Sequence, residues 1–212
     1  MLIRFIVENF SSFGGQAEFS MVAGRQRIHQ EHLTKISDND FKLLRTAAIY
    51  GANASGKSNL VKAMLFAKNF IVRGSSAMDR IQFRPFLLDS ALKNAPSTFQ
   101  FSFCHKGICY TYGFKVDSEK VIEEWLMRLV NQKETALFER ITDTDGIAKV
   151  HFSSSLISDK EEKSFLNLLA RGTRPNQLFL TEAVQRNFKP FLDPWLWFAK
   201  RLVIILPDTT AR

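Results

Sequence analysis

The string Gly51-Ala52-Asn53-Ala54-Ser55-Gly56-Lys57-Ser58 constrains this chain more than any other stretch. It satisfies G-x-x-x-x-G-K-S at every fixed place, and ordinary residue frequencies make a chance match in 212 residues rarer than about one in a hundred. The glycines let the backbone curl until successive N–H groups point inward, and the N-terminus of a following helix adds the positive end of its dipole. Such a loop cradles phosphate. Lys57 is expected on the β- and γ-phosphates of a nucleoside triphosphate and the Ser58 hydroxyl on its Mg²⁺. Gly51, Ala52, Asn53, Ala54, Ser55, Gly56 and Asn59 complete the expected ATP·Mg²⁺ contact set.

A phosphate loop needs a strand before it and a helix after it, and the flanks read that way. Leu43 to Tyr50 is small and apolar, which predicts a buried central strand. Leu60, Val61, Met64, Leu65, Ala67 and Ile71 recur at helical spacing to about Val72, with Gly74 as the stop. Upstream, Leu2 to Phe10 predicts a strand, Ser11 to Gly15 a turn, and Ala17 to Ala23 a second strand. Polar Gly24 to Asp40 reads as an irregular crossing loop.

Beyond residue 97 the period changes to two. Phe99, Phe101 and Phe103 alternate with polar residues, and Ile108, Tyr110, Tyr112 and Phe114 do so again after a short turn, which predicts a β-hairpin. Val121 to Val130, Ala136 to Ile141 and Ala148 to Phe152 extend it into an antiparallel meander, with Asp145-Gly146 in the last turn. Ser158-Asp159-Lys160-Glu161 reads as a capping box opening a helix through Phe165, Leu166 and Leu169 to Arg171, stopped by Gly172. Leu178 to Leu180 and Leu202 to Leu206 read as further strands. The expected fold class is α/β: a mixed central sheet, an antiparallel meander and flanking helices, in one unit. Within it, 1–75 holds the first strands, the loop and its helix, 76–155 the β-rich meander, and 156–212 a helical segment and terminal strand.

Composition narrows the field. Hydrophobic residues at 45% and charged residues at 24% fit a globular domain, and 20 Phe require a large buried volume. Without an apolar run long enough for a bilayer or a cleavable leader pattern, the expected location is cytoplasmic, with no membrane partner. The net charge of +8 is dispersed, so any DNA binding is expected to be weak, non-specific and salt-sensitive. Cys104 and Cys109 with His105 fall short of a zinc set and read as core or surface thiols. His29 and His32 beside Glu31 read as a solvated loop, and Trp195 and Trp197 as an aromatic core or interface patch.

The fuller string Gly51-Ala52-Asn53-Ala54-Ser55-Gly56-Lys57-Ser58-Asn59-Leu60 resembles the Walker A of the SMC and RecF branch of ABC-type ATPases. The opening Ile3-Arg4-Phe5-Ile6-Val7-Glu8-Asn9-Phe10-Ser11-Ser12-Phe13 is similar to the first strand of those heads, with Ser11 where the family carries a basic residue. Within the branch, Gln82-Phe83-Arg84-Pro85-Phe86-Leu87-Leu88-Asp89, Tyr110-Thr111-Tyr112-Gly113-Phe114 and Asn176-Gln177-Leu178-Phe179-Leu180-Thr181 resemble AAA-family ATP-binding proteins of the RloA and overcoming-lysogenization-defect type. The resemblance implies an ABC-type head that works with a second ATPase head, or with the C-terminal half of its own, and with a nuclease or other effector in anti-phage defence. It also implies a γ-phosphate-sensing glutamine, for which Gln177 and Gln185 are both candidates.

An ABC head further requires a signature loop, a Walker B strand ending in Asp-Glu and a switch His, and these lie outside the motifs found here. In Leu202-Val203-Ile204-Ile205-Leu206-Pro207-Asp208, Pro207 intervenes and Thr209 stands where the catalytic Glu belongs, so a non-catalytic strand is expected and the catalytic residues stay unassigned. Two functions remain open: an ATPase that drives an effector, inactive as this stretch alone, or a non-hydrolysing nucleotide-binding or protein-interaction module.

Overall fold

The computed structural model describes residues 1–25, 29–36, 42–130, 133–143, 145–157 and 159–206. Its frame is a seven-stranded sheet made from β1 (Leu2–Glu8), β2 (Ala17–Ser20), β5 (Ser97–His105), β6 (Ile108–Val116), β7 (Val121–Val130), β8 (Lys133–Thr142) and β9 (Ala148–Phe152). The short strands β3 (Leu33–Lys35) and β4 (Lys42–Leu44) pair with each other. The large sheet runs β2-β1-β5-β6-β7-β8-β9, and every pairing in it is antiparallel. The antiparallel part of the expected mixed sheet is thus the whole of this sheet among the described residues.

Period-two alternation decides which face is buried. Phe5, Val7, Phe99, Phe101, Phe103, Tyr112, Phe114, Leu126 and Phe138 point to one side and are fully buried. Against them pack α1 (Lys57–Arg73), α2 (Lys160–Gly172), α3 (Phe179–Gln185), α4 (Leu192–Leu196) and a π-turn at Trp197–Arg201. The heavy Phe content goes here: Trp197 stacks on Phe103 at 4.2 Å, and Phe101 meets Phe198 edge-on at 5.2 Å. The Trp195 indole N–H donates to the Ile71 carbonyl at 3.1 Å. Both tryptophans therefore belong to the aromatic packing.

Besides the expected irregular loop over Gly24 to Asp40, whose described part carries a 3-10 turn at Gln30–His32 and strand β3, four sequence expectations change. Leu43 is buried in β4, but residues 45–50 form no strand and are exposed throughout, so the segment before the loop is not a buried central strand. Its apolar residues Ala47, Ala48 and Ile49 pair with no strand among the described residues, and burial of a strand needs neighbours on both edges. Leu178 to Leu180 is no strand either, because the buried Glu124 carboxylate accepts the N–H groups of Phe179 at 2.7 Å and Leu180 at 2.9 Å and starts a helix there. Residues 202–206 are likewise outside any strand; Val203 and Ile205 are both 72% exposed. Ser158, Pro207, Asp208 and Thr209 lie outside the described residues, and Asp159 caps α2 by accepting from the Glu162 N–H at 2.8 Å.

The cysteines are the fourth change. Lys106 (φ 50) and Gly107 (φ 81) make a two-residue turn with both φ positive, which pairs His105 with Ile108 and sets Cys104 directly opposite Cys109. The two are joined as a disulfide rather than free thiols.

Candidate functional site

Helix α1 begins at Lys57 and ends at Arg73, with Gly74 (φ 71) as C-cap. Its buried stripe, Leu60, Ala63, Ala67, Phe70 and Ile71, lies on the Phe face of the sheet, so packing rather than capping fixes its axis. The N-cap is Gly56, and among the described residues no side chain caps the helix start. Its first N–H groups consequently point into the curl of residues 51–56 with the positive end of the helix dipole behind them.

The curl depends on its glycines. Gly56 sits at φ 90 and Ala54 at φ 63, in the left-handed region. A Cβ on Gly51 would lie 2.7 Å from Ser55 Oγ, and one on Gly56 would lie 2.7 Å from Ser12 Oγ. The Lys57 ammonium folds back over the loop, donating to the Gly51 carbonyl at 2.7 Å, the Ala52 carbonyl at 2.6 Å and Ser55 Oγ at 3.3 Å. Ser58 lies exposed on the first turn of α1 and Asn59 follows it, its N–H donating to the Gly56 carbonyl at 2.9 Å. These residues fit a phosphate and its cation: a helix N-terminus, a glycine curl, an ammonium held over the loop and an exposed hydroxyl.

The loop also has a neighbour that sequence reasoning passed over. Ser12 and Phe13, in the turn after β1, rest against Gly56, with Phe13 Cζ 3.8 Å from a Cβ at that position. Ser11, at the place where the resembled heads carry a basic residue, donates its N–H to the Arg84 carbonyl at 2.6 Å. The Asn-Phe-x-Ser-Phe spacing was the available signal. Asn9 (φ 51) reverses the chain there and is itself held by four hydrogen bonds to residues 86–96.

The two glutamine candidates lie elsewhere. Gln177 is buried and accepts through Oε1 from the Ser75 N–H at 2.8 Å and the Ser75 hydroxyl at 3.0 Å, packed against Gly74. That is the far end of α1, about 25 Å from its start for 17 residues. Gln185 is the exposed last residue of α3. The structure brings neither to the phosphate loop.

A buried polar group ties that far end of α1 to the meander. The Arg140 guanidinium donates to the carbonyls of Gln177 at 2.6 Å, Arg174 at 3.3 Å and Pro175 at 3.4 Å, and Glu124 accepts from the Tyr112 hydroxyl at 2.9 Å. Burial pushes the Glu124 carboxyl above its ordinary range and the Tyr112 hydroxyl well above its own. The same burial lowers the Arg140 guanidinium, with Glu124 pulling the other way.

Among the described residues no helix is long and apolar enough to cross a membrane. No curated protein matches the chain. Residues 47–195, from just before the glycine loop to the start of the Trp-rich segment, match a protein-family model described as "AAA domain, putative AbiEii toxin, Type IV TA system". With the phosphate loop at the head of the matched region and more than half of the chain inside it, the chain belongs to this AAA-domain family of P-loop, nucleotide-binding ATPases.

Proposed function

We propose that the chain is the ATP·Mg²⁺-binding lobe of an ABC-type ATPase head of the SMC and RecF kind, whose engagement with a second head gates an effector such as a nuclease in anti-phage defence. The observation that carries the reading is Lys57 folded over the uncapped start of α1, with its ammonium on the Gly51 and Ala52 carbonyls. Those carbonyls hold the charge where phosphate oxygens would take it over, and an ammonium–phosphate contact is the stronger of the two. Mg²⁺, when bound, would supply neutralisation of the phosphate charge. Ser58 would hold it, and the backbone N–H groups of the loop would orient the phosphates.

Two apolar segments support the larger assembly. Residues 46–50 run exposed into the loop, with Ile49 46% and Tyr50 90% accessible, and residues 202–206 alternate between half-buried and exposed, as an extended strand does. Both have the composition of strands in a covered sheet, and both would gain partners from the second half of a head. Weak, salt-sensitive DNA contact through the dispersed positive charge belongs to the same reading.

Hydrolysis needs a positioned water, a base and charge stabilisation beyond the phosphate loop. Steady-state phosphate release should therefore be negligible for residues 1–212 alone and should appear, dependent on Lys57, when a polypeptide carrying a signature loop and an Asp-Glu strand is added. Lys57-dependent turnover by the chain alone would contradict the divided site.

A further inference from the structure

The segment His29-Gln30-Glu31-His32 is taken up by nothing in the nucleotide site. Gln30–His32 is one turn of 3-10 helix with His29 as its N-cap. His29, at φ 57, accepts the His32 N–H through its carbonyl at 3.1 Å, and this tight turn brings the two imidazoles together with ring centroids 5.6 Å apart. Glu31 reaches between them: its Oε1 lies 3.1 Å from His29 Nδ1 and 3.4 Å from His32 Nε2. One ligand atom from each residue falls within 4.8 Å of the other two.

We propose that His29, Glu31 and His32 form a binding site for a borderline divalent transition metal, Zn²⁺ foremost. A tetrahedral ion with bonds of about 2.0–2.2 Å separates neighbouring ligand atoms by about 3.3–3.5 Å. The His32 contact to Glu31 Oε1, at 3.4 Å, already has that spacing, the His29 contact at 3.1 Å is slightly shorter, and rotation of the exposed imidazoles adjusts the set around an ion. Two imidazole nitrogens and one carboxylate oxygen suit Zn²⁺, Ni²⁺ or Cu²⁺ and are too few and too nitrogenous for Mg²⁺ or Ca²⁺. An exposed His–Glu contact is worth little by itself.

The backbone beneath the three ligands is fixed. The His32 carbonyl accepts from the Arg45 N–H at 3.0 Å, Leu33 pairs with Leu44 in the β3–β4 ladder, and Lys42 Nζ donates to Gln30 Oε1 at 2.5 Å. All three side chains are about 70% accessible, at 70%, 67% and 71%, so the ion exchanges freely with solvent and keeps at least one water. Because Arg45 leads directly into residues 46–50 and Gly51, a bound ion would stiffen the approach to the phosphate loop.

The test is calorimetric titration of Zn²⁺ into the metal-free chain, with Co²⁺ absorption as the second probe of coordination. The wild type should bind one ion saturably and give the visible band of tetrahedral Co²⁺. The double variant His29→Ala/His32→Ala should lose both signals and Glu31→Gln should weaken them. The remaining histidines provide the control, and His105→Ala/His151→Ala should leave both signals intact. His29, Glu31 and His32 are all exposed, so circular dichroism of the site variants should match wild type. Binding that survives His29→Ala/His32→Ala, or that disappears in the control variant, would overturn the site. ATP titration of the same variants separates this result from the nucleotide reading, because the metal ligands do not touch the loop.

Discussion

The carboxylate of Glu124 and the guanidinium of Arg140 lie 3.6 Å apart with both side chains fully buried, on adjacent strands β7 and β8. Each is also committed elsewhere: Glu124 to the first N–H groups of α3, Arg140 to the carbonyls that lead into it. Arg140 Nε finds no partner among the described residues. The pair therefore seats the 174–180 segment at the cost of two desolvated charges.

Removing one partner strands the other. Arg140→Met should destabilise the fold by about 3–5 kcal/mol in urea denaturation, and Glu124→Gln/Arg140→Met should cost less than the two single changes added together. Strict additivity would show that the two charges do not sense each other.

Glu124 also predicts a pH dependence. An ordinary Glu carboxyl has a value of 4.5, and burial raises that of Glu124 against the pull of Arg140 and of the Leu180 and Phe179 N–H groups. Between the ordinary and the raised value the folded chain binds more protons than the unfolded one, so its stability falls as pH rises through that window. Glu124→Gln should flatten this part of the stability profile relative to wild type; an unchanged slope would assign it to other groups.

Asn9 holds the turn that leans on the phosphate loop. It is buried, sits at φ 51, donates through Nδ2 to Leu92 at 2.9 Å and Ala95 at 2.8 Å, and accepts from the Phe86 N–H at 3.0 Å. Asn9→Ala should cost about 3 kcal/mol, because it orphans buried backbone groups and puts a Cβ-only residue in the left-handed region. Asn9→Gly should be the milder change, since it keeps the backbone free to adopt that φ. Equal losses for the two, measured by thermal unfolding, would mean the backbone term is negligible.

On the outer face of the sheet, Trp125 lies flat over Gly113, its indole N–H donating to Gln100 at 3.2 Å. A Cβ on Gly113 would come within 2.4 Å of the ring. Gly113→Ala should cost about 1–3 kcal/mol and shift the tryptophan emission, and Trp125→Ala in the same chain should relieve most of the loss. A fully additive double variant would contradict the contact.

Local signals explain what the sequence made legible. The alternation in Phe99 to Phe103 and Ile108 to Phe114 is enforced by a sheet with one face buried, so β5 and β6 and the later meander could be read directly. Helix α1 was equally plain, because Gly56 and Gly74 bound it at φ 90 and 71, where the backbone favours glycine. Residues 178–180 were misread because the group that makes them helical, Glu124, is more than fifty residues away. Residues 45–50 were misread because apolar composition records the need for burial and not the presence of neighbours. Ser12 escaped notice since only the folded turn carries it to Gly56.

The phosphate loop carries the central claim, and calorimetric titration of ATP·Mg²⁺ into wild type and Lys57→Ala tests it most directly. Among the described residues Lys57 bonds only within its own loop, so the substitution should leave folding stability within about 0.5 kcal/mol. It removes a charge-assisted phosphate contact worth about 1.5–3 kcal/mol. Wild type should therefore bind ATP·Mg²⁺ with roughly ten- to more than a hundredfold greater affinity than Lys57→Ala. Equal affinity in the two proteins, or no binding by the folded wild type, would contradict the account.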